Sequence, residues 1–222
     1  MFSFEAWWQI LTTKLPVFFQ GVGTTVELAL CTAIFGTLLG IVVALLRMSR
    51  VKLLKVLAGA YIEFLRGTPL LVQVLIVFYG LPQMGVKLPR MTAGTVALVI
   101  NSAAYMAEIV RSGIQAIDGG QTEASRSLGM NGAQTMIYII LTQAIKNILP
   151  AIGNEFVSII KESSILYTIG IYELTYQANK LASTNFRYLE TLTISALIYF
   201  VLTFTASRLL GMLERRMRRG DR

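Results

Sequence analysis

The 21 residues from Val26 to Leu46 carry a single charged side chain, Glu27, and it stands near the start of the run. Coiled at 1.5 Å per residue, such a run crosses the roughly 30 Å hydrocarbon layer of a bilayer. No water inside that layer pairs with backbone N–H and C=O groups, so a chain built of such runs folds as helices. Composition agrees: 55% of the 222 residues are apolar and 14% are charged, against about 25% charged in soluble domains. The formal net charge of +8 does not indicate nucleic acid, because the bases collect at the ends of apolar runs instead of along one soluble face. The one cysteine, Cys31, lies within an apolar run, and histidine is absent. A disulfide framework, a zinc site and a Ser-His-Asp triad are therefore not available.

Ahead of the first span, MFSFEAWWQILTTKLPVFFQG has neither a basic leader nor an A-x-A cleavage site. Its Trp7, Trp8, Phe18 and Phe19 predict a short helix lying at the membrane interface. Within the span, Gly36 and Gly40 form a G-x-x-x-G pair that lets another helix approach closely. Arg47, Arg50, Lys52 and Lys55 follow with no acid among them. The second span, from about Leu57 to Leu81, holds Glu63, Arg66, Thr68, Pro69 and Gln73. Glu63 and Arg66 are three apart, share a helical face and are expected to pair. Thr68-Pro69 predicts a kink, tolerable only where protein or water satisfies the freed backbone groups.

The third span, Thr92 to Val110, is rich in small residues (Ala93, Gly94, Ala97, Ser102, Ala103, Ala104, Ala107), which predicts tight packing against other helices. Asn101, Tyr105 and Glu108 fall at i, i+4 and i+7 and line one face, as either an interhelical contact or a substrate path. Gln134 to Lys161 would measure roughly 42 Å as a straight helix, and Pro150 with Gly153 predicts a kinked or broken one. Its second half carries Asn154, Glu155, Ser158, Lys161 and Glu162. These form either a polar face or, for Lys161 and Glu162, the water boundary. Tyr167 to Arg187 reads as a polar connection, Leu189 to Leu210 as the last span, and GMLERRMRRGDR as a basic tail.

Between the third and fourth spans stands DGGQTEASRSLGMNGAQTMIYIILTQAIKNILP, Asp118 to Pro150. Gly119 and Gly120 are expected to break the preceding helix, and Thr122 to Leu128 to form a short one. Gly129 is placed where a left-handed helix end wants it. Asn131 and Gln134 have the spacing of a capping box opening the next helix.

Glu123-Ala124-Ser125, Gly129 six residues after Glu123, and Ile148-Leu149-Pro150 resemble the EAA loop of permease subunits in bacterial ABC importers. Ser125 replaces the second Ala of that pattern, and the spacer before the Leu-Pro pair is missing. Glu63-Phe-Leu-Arg-Gly-Thr-Pro-Leu-Leu-Val-Gln73, and Ser102-Ala-Ala-Tyr-Met-Ala-Glu108 with Arg111 and Gly113, are similar to signatures of the polar amino acid branch of these permeases (the histidine, glutamine and arginine type). The resemblance covers roughly Gly21 to the C-terminus.

It implies a single all-α membrane domain over 1–222, the type I importer permease fold, with five transmembrane helices, the N-terminal interfacial helix and a cytoplasmic coupling loop at about 118–133. In that family the loop docks in a groove of a cytoplasmic ATPase, which assigns coupling to Glu123, Ala124, Ser125, Leu128 and Gly129. It further implies a second permease copy or paralogue, two ATPase subunits, an extracytoplasmic amino acid-binding protein, and uptake by alternating access in a bacterial inner membrane. G-x-x-x-x-G-K-[ST] is absent here, so ATP and Mg are expected in the partner ATPase, no cofactor is expected in this chain, and it is not expected to be an enzyme. Membrane lipid is an expected contact and nucleic acid is not. An amino acid carries a carboxylate and an ammonium, so a path through the membrane needs donors together with acidic groups. The candidates are Arg66, Thr68, Gln73, Asn101, Tyr105, Glu108, Asn154, Glu155, Ser158 and Glu162. The alternative is an ion- or proton-coupled secondary transporter or channel, although no internal duplication of the kind common in secondary transporters is present.

Basic residues near span ends set orientation. Four bases lie between Arg47 and Lys55 and five between Arg215 and Arg222, against Lys87 and Arg90 alone between Leu81 and Met91. The N-terminus is expected outside, and the 118–133 loop and the C-terminus in the cytoplasm.

Overall fold

The computed structural model describes residues 2–218, with side chains to Arg216; residues 219–222 of the basic tail lie outside the described residues. Every regular element among the described residues is helical. Helix α1 runs unbroken over Phe4–Arg47. A separate interfacial helix at the N-terminus is therefore not what forms: the aromatic segment continues straight into the first span, with Pro16 inside the helix. At 44 residues the helix is about 66 Å long. Tilted even 40°, a hydrocarbon layer of about 30 Å takes up only about 26 residues, so the remainder extends past it.

The small residues of the third span do what their composition predicts. Helix α4, counted after α2 (Lys52–Gly67) and α3 (Leu70–Gln83), spans Arg90–Gln115 and lies along α1. Ala93, Ala97, Ala103, Ala104 and Ala107 are all buried there. The glycine pair of α1 faces this strip. A Cβ on Gly36 would stand 2.9 Å from Ser102 Oγ, and one on Gly40 would meet Met106 Cβ and, at 3.0 Å, the Ala103 carbonyl. The close partner of the G-x-x-x-G pair is thus a helix of the same chain.

Among the described residues four helices are each long and apolar enough to cross a membrane, and α2 with α3 forms a further pair bent by 108°. The bend falls at Thr68-Pro69, as the sequence predicts, because proline removes an N–H and its ring holds the preceding residue in an extended conformation. Counted as one span, the bent pair makes five.

After the short helix α5 (Gly119–Ser127) comes α6, Gly132–Ile169, which departs from expectation. Pro150 and Gly153 do not interrupt it: both lie inside a continuous α-helical stretch, Leu141–Glu162. The irregularities fall at its ends instead, as a π-helical turn at Thr135–Ile140 and a 3₁₀ turn at Ser163–Ile169. Proline costs one backbone bond, and neighbours on both sides hold the helix: Ile148 packs over Gly113 of α4, and Gly153 admits Leu210 of the last helix. Helix α7 (Leu174–Asn185) occupies the expected polar connection, and α8 (Tyr188–Arg218) closes the chain.

Large apolar side chains point outward from α1 (Phe35 57%, Leu38 59% exposed) and from α8 (Phe200 62%, Val201 60% exposed). A soluble protein would bury such a surface, whereas lipid or a second membrane chain covers it at no cost.

Candidate functional site

The 118–133 loop forms a compact, capped unit at one end of the molecule. Asp118 accepts from the Gly120 N–H at 2.7 Å and opens α5, so Gly119 and Gly120 form its first turn instead of breaking the helix before it. That helix ends earlier, at Gln115. Gly129 has φ +84°, with Gly129 N–H donating to the Arg126 carbonyl and Met130 N–H to the Ser125 carbonyl. This is the paired closure of a helix whose exit residue is left-handed, a conformation that suits glycine. The Asn131–Gln134 capping box forms in both directions, at 3.0 and 2.9 Å.

The five candidate coupling residues do not share one face. Glu123, Ala124 and Gly129 are exposed, and Leu128 is 84% exposed. Ser125 is buried: its hydroxyl donates to the Thr122 carbonyl at 2.9 Å and lies 3.0 Å from Thr135 Oγ1, at the start of the π turn of α6. The side chain that departs from the E-A-A pattern therefore faces its own chain.

The polar groups within the spans divide into three sets. Gln73 Nε2 donates to the Leu65 carbonyl (2.8 Å), the Thr68 carbonyl (3.1 Å) and Thr68 Oγ1 (2.9 Å), while its Oε1 accepts from Asn101 Nδ2 at 2.9 Å. Gln73 and Asn101 are both buried. Together they satisfy carbonyls left free where α2 breaks, which is the condition for a broken helix at membrane depth. Thr68, Gln73 and Asn101 are thus engaged with one another.

The second set is an electrostatic cluster. The Arg66 guanidinium stands over the Tyr105 ring, 5.4 Å from its centroid, within cation–π range. Glu155 Oε1 lies 3.5 Å from Ser102 Oγ and within reach of the charges of Arg66 and Glu162. Glu155, Ser158 and Glu162 stand at i, i+3 and i+7 on α6, one face of the helix. The cation of α2 thus interacts with Tyr105 of α4 and with Glu155 of α6, and Glu155 in turn with Glu162. Ser102 belongs here too, although among so many small residues its hydroxyl carries no sequence signal of its own.

The rest stand apart. Glu108 is held by Arg111, which also reaches Gln115. Asn154 faces a cavity between α6 and α8, with Gly153, Ser207 and Leu210. Glu63 does not pair with Arg66. It lies 3.8 Å from Arg47 Nη2, because the end of α1 folds back along α2.

One buried carboxylate escapes a reading of the sequence altogether. Glu173 is fully buried at the start of α7, accepting from Thr175 N–H (2.8 Å), Tyr176 N–H (2.6 Å) and Tyr199 O–H (2.7 Å). Burial pushes its carboxyl above the usual range, against those hydrogen bonds. The Leu174 N–H beside it donates to Thr25 Oγ1 of α1 at 3.2 Å. A lone Glu in a polar loop gives no local sign of this.

A family model for the binding-protein-dependent transport system inner membrane component matches residues 36–219. The chain is 38% identical over 213 residues to the probable amino-acid permease protein YxeN of Bacillus subtilis (strain 168), covering 95% of each. It is 39% identical over 209 residues to the arginine transport system permease protein ArtQ of the same organism, covering 94% of this chain and 95% of that one. Among solved structures, an amino acid ABC transporter with histidines superposes with a TM-score of 0.91 at 49% identity, over 97% of this chain and 99% of that chain. The inward-facing MetNI methionine ABC transporter, at 17% identity and a TM-score of 0.70, covers 90% of this chain and 97% of that one and shares the fold. These comparisons lend no support to a secondary transporter or channel. The chain therefore belongs to the binding-protein-dependent transport system inner membrane components, the permease subunits of ABC importers.

Proposed function

We propose that this chain carries a polar amino acid across a bacterial inner membrane, coupled through α5 to ATP hydrolysis in a separate subunit. The observation that supports the substrate class is the set of interacting charges Arg66, Glu155 and Glu162. Arg66 offers a cation to a carboxylate, and Glu155 and Glu162 offer acids to an ammonium, a set that suits a zwitterion. The names of relatives that act on arginine and on glutamine agree with that class. The partners are a second permease copy or paralogue, two ATPase subunits that hold ATP and Mg, and an extracytoplasmic amino acid-binding protein. The N-terminus is outside, and α5 and the C-terminus are cytoplasmic.

Exposed Glu123, Ala124 and Leu128 form the surface offered to the ATPase, and the left-handed Gly129 sets the angle at which α5 leaves it. Glu123→Lys and Gly129→Asp are expected to leave the permease inserted but to abolish uptake, with loss of ATPase co-purification or of substrate-responsive hydrolysis. Normal uptake by both variants would exclude α5 as the coupling element. For the substrate, Glu155→Gln and Arg66→Gln should each change the affinity or rate of uptake. Unchanged uptake in both would move the membrane site elsewhere. Orientation is tested at exposed Leu128: Leu128→Cys on a Cys31→Ser background should resist an impermeant thiol reagent applied from outside.

A further inference from the structure

Where α1 ends, α2 begins and α4 ends, a cavity of about 390 Å³ is lined by Arg47, Met48, Lys55, Arg111 and Gln115. Three of these side chains are cations and none is acidic. Two of the cations are fixed walls. Arg47 Nη1 donates to the Lys55 carbonyl at 3.0 Å, and its guanidinium lies against Gly59, where any Cβ would collide with it. Arg111 is held by Glu108 and Gln115. The third, Lys55, has an exposed side chain with no hydrogen-bond or ion-pair partner among the described residues, and exposed Arg50 and Lys52 shortly precede it in the chain. Five cations thus stand against two carboxylates, Glu63 and Glu108. Glu63 neutralises little, being 79% exposed and 3.8 Å from its partner.

Two further features narrow the ligand. Arg47 follows directly on the apolar run Val26–Leu46, so the cavity sits where hydrocarbon gives way to water. Beside it, α2 turns apolar side chains outward: Leu53 is 66%, Val56 55% and Leu57 58% exposed. A ligand that satisfies both has a phosphate for the cations and hydrocarbon for the apolar row.

We propose that this cavity binds the phosphate-bearing headgroup of an anionic phospholipid, with its acyl chains along Leu53 and Leu57. A basic recess between helices at the membrane surface suits such a headgroup, and each cation there strengthens binding severalfold. The inference is independent of the transported substrate.

The test uses the transporter assembled with its ATPase, delipidated and titrated with phosphatidylglycerol or phosphatidylcholine under native mass spectrometry, with inorganic phosphate as competitor. Lys55→Gln removes the one lining cation that is not a fixed wall, and Arg50→Gln an exposed cation close to it in the chain; both side chains are exposed, so core packing is untouched. Arg215→Gln with Arg216→Gln removes the same charge from the end of α8 and serves as control. The expected result is selective retention of phosphatidylglycerol, about 30-fold weaker in the recess variant, unchanged in the control, and not displaced by phosphate. Equal retention of the two lipids, or equal loss in both variants, would reduce the effect to diffuse surface charge and overturn the proposal. Displacement by equimolar phosphate would make the ligand a free anion and overturn the lipid assignment.

Discussion

The Asn101 carboxamide donates to Gln73 Oε1 at 2.9 Å, and through Gln73 it reaches the broken end of α2. Two polar residues that read from the sequence as candidates for a substrate path thus hold together three pieces of backbone. Gln73→Leu strands the Leu65 and Thr68 carbonyls and the Asn101 amide, whereas Asn101→Leu removes a single bond. The expected losses are about 2–3 and about 1 kcal/mol, read as unfolding midpoints of the purified permease. Equal losses would contradict the central place of Gln73.

Gly40 and Gly23 lie on the same helix in opposite surroundings. A Cβ on Gly40 would press on Met106 and the Ala103 carbonyl, while one on Gly23 meets nothing within 4 Å. Gly40→Val should cost about 1–3 kcal/mol by forcing α1 and α4 apart. Gly23→Ala should be neutral or stabilising by up to about 1 kcal/mol, since alanine loses less freedom on entering a helix. Thermal unfolding of the pair decides whether the close approach is real.

Ser125 and Thr135 tie α5 to the π turn of α6 through buried hydroxyls 3.0 Å apart. Ser125→Ala and Thr135→Val break the same contact, so their costs of about 1 kcal/mol each should not add. A double variant as destabilised as the sum of the singles would show that the hydroxyls do not interact. Because Ser125 faces inward, ATPase co-purification should survive Ser125→Ala.

Glu173 predicts a pH dependence. Its folded pKa is raised by burial, so its contribution to stability is complete below the unfolded carboxylate value of about 4.3 and is lost as pH rises through the folded one. Glu173→Gln stays neutral throughout. The difference between variant and wild-type unfolding midpoints should therefore shift in the variant's favour as pH increases from about 4. A difference independent of pH would mean that the carboxyl does not change its charge within the fold over that range.

The legible parts of this protein are local ones. Apolar runs of about 20 residues fix helices in a membrane because the backbone there has no other partner. Thr68-Pro69 breaks a helix through one residue's geometry, and Gly129 and the Asn131–Gln134 box close and open helices through bonds that span a turn. Each of these needs only neighbours in the chain. Some polar partners are local too, such as Arg111 for Glu108, but others were decided by tertiary packing. Spacing put Arg66 on Glu63, but the return of α1 along α2 supplied Arg47, leaving Arg66 for Tyr105. Pro150 reads as a kink or a break, and contacts from α4 and α8 keep its helix unbroken. Glu173 is buried only because α1, α7 and α8 converge on it, bringing Thr25 and Tyr199 from far along the chain. A missing backbone bond or an ionisable group in an apolar medium costs several kcal/mol unless a partner answers it, and those partners are supplied by helices whose meeting no local pattern encodes.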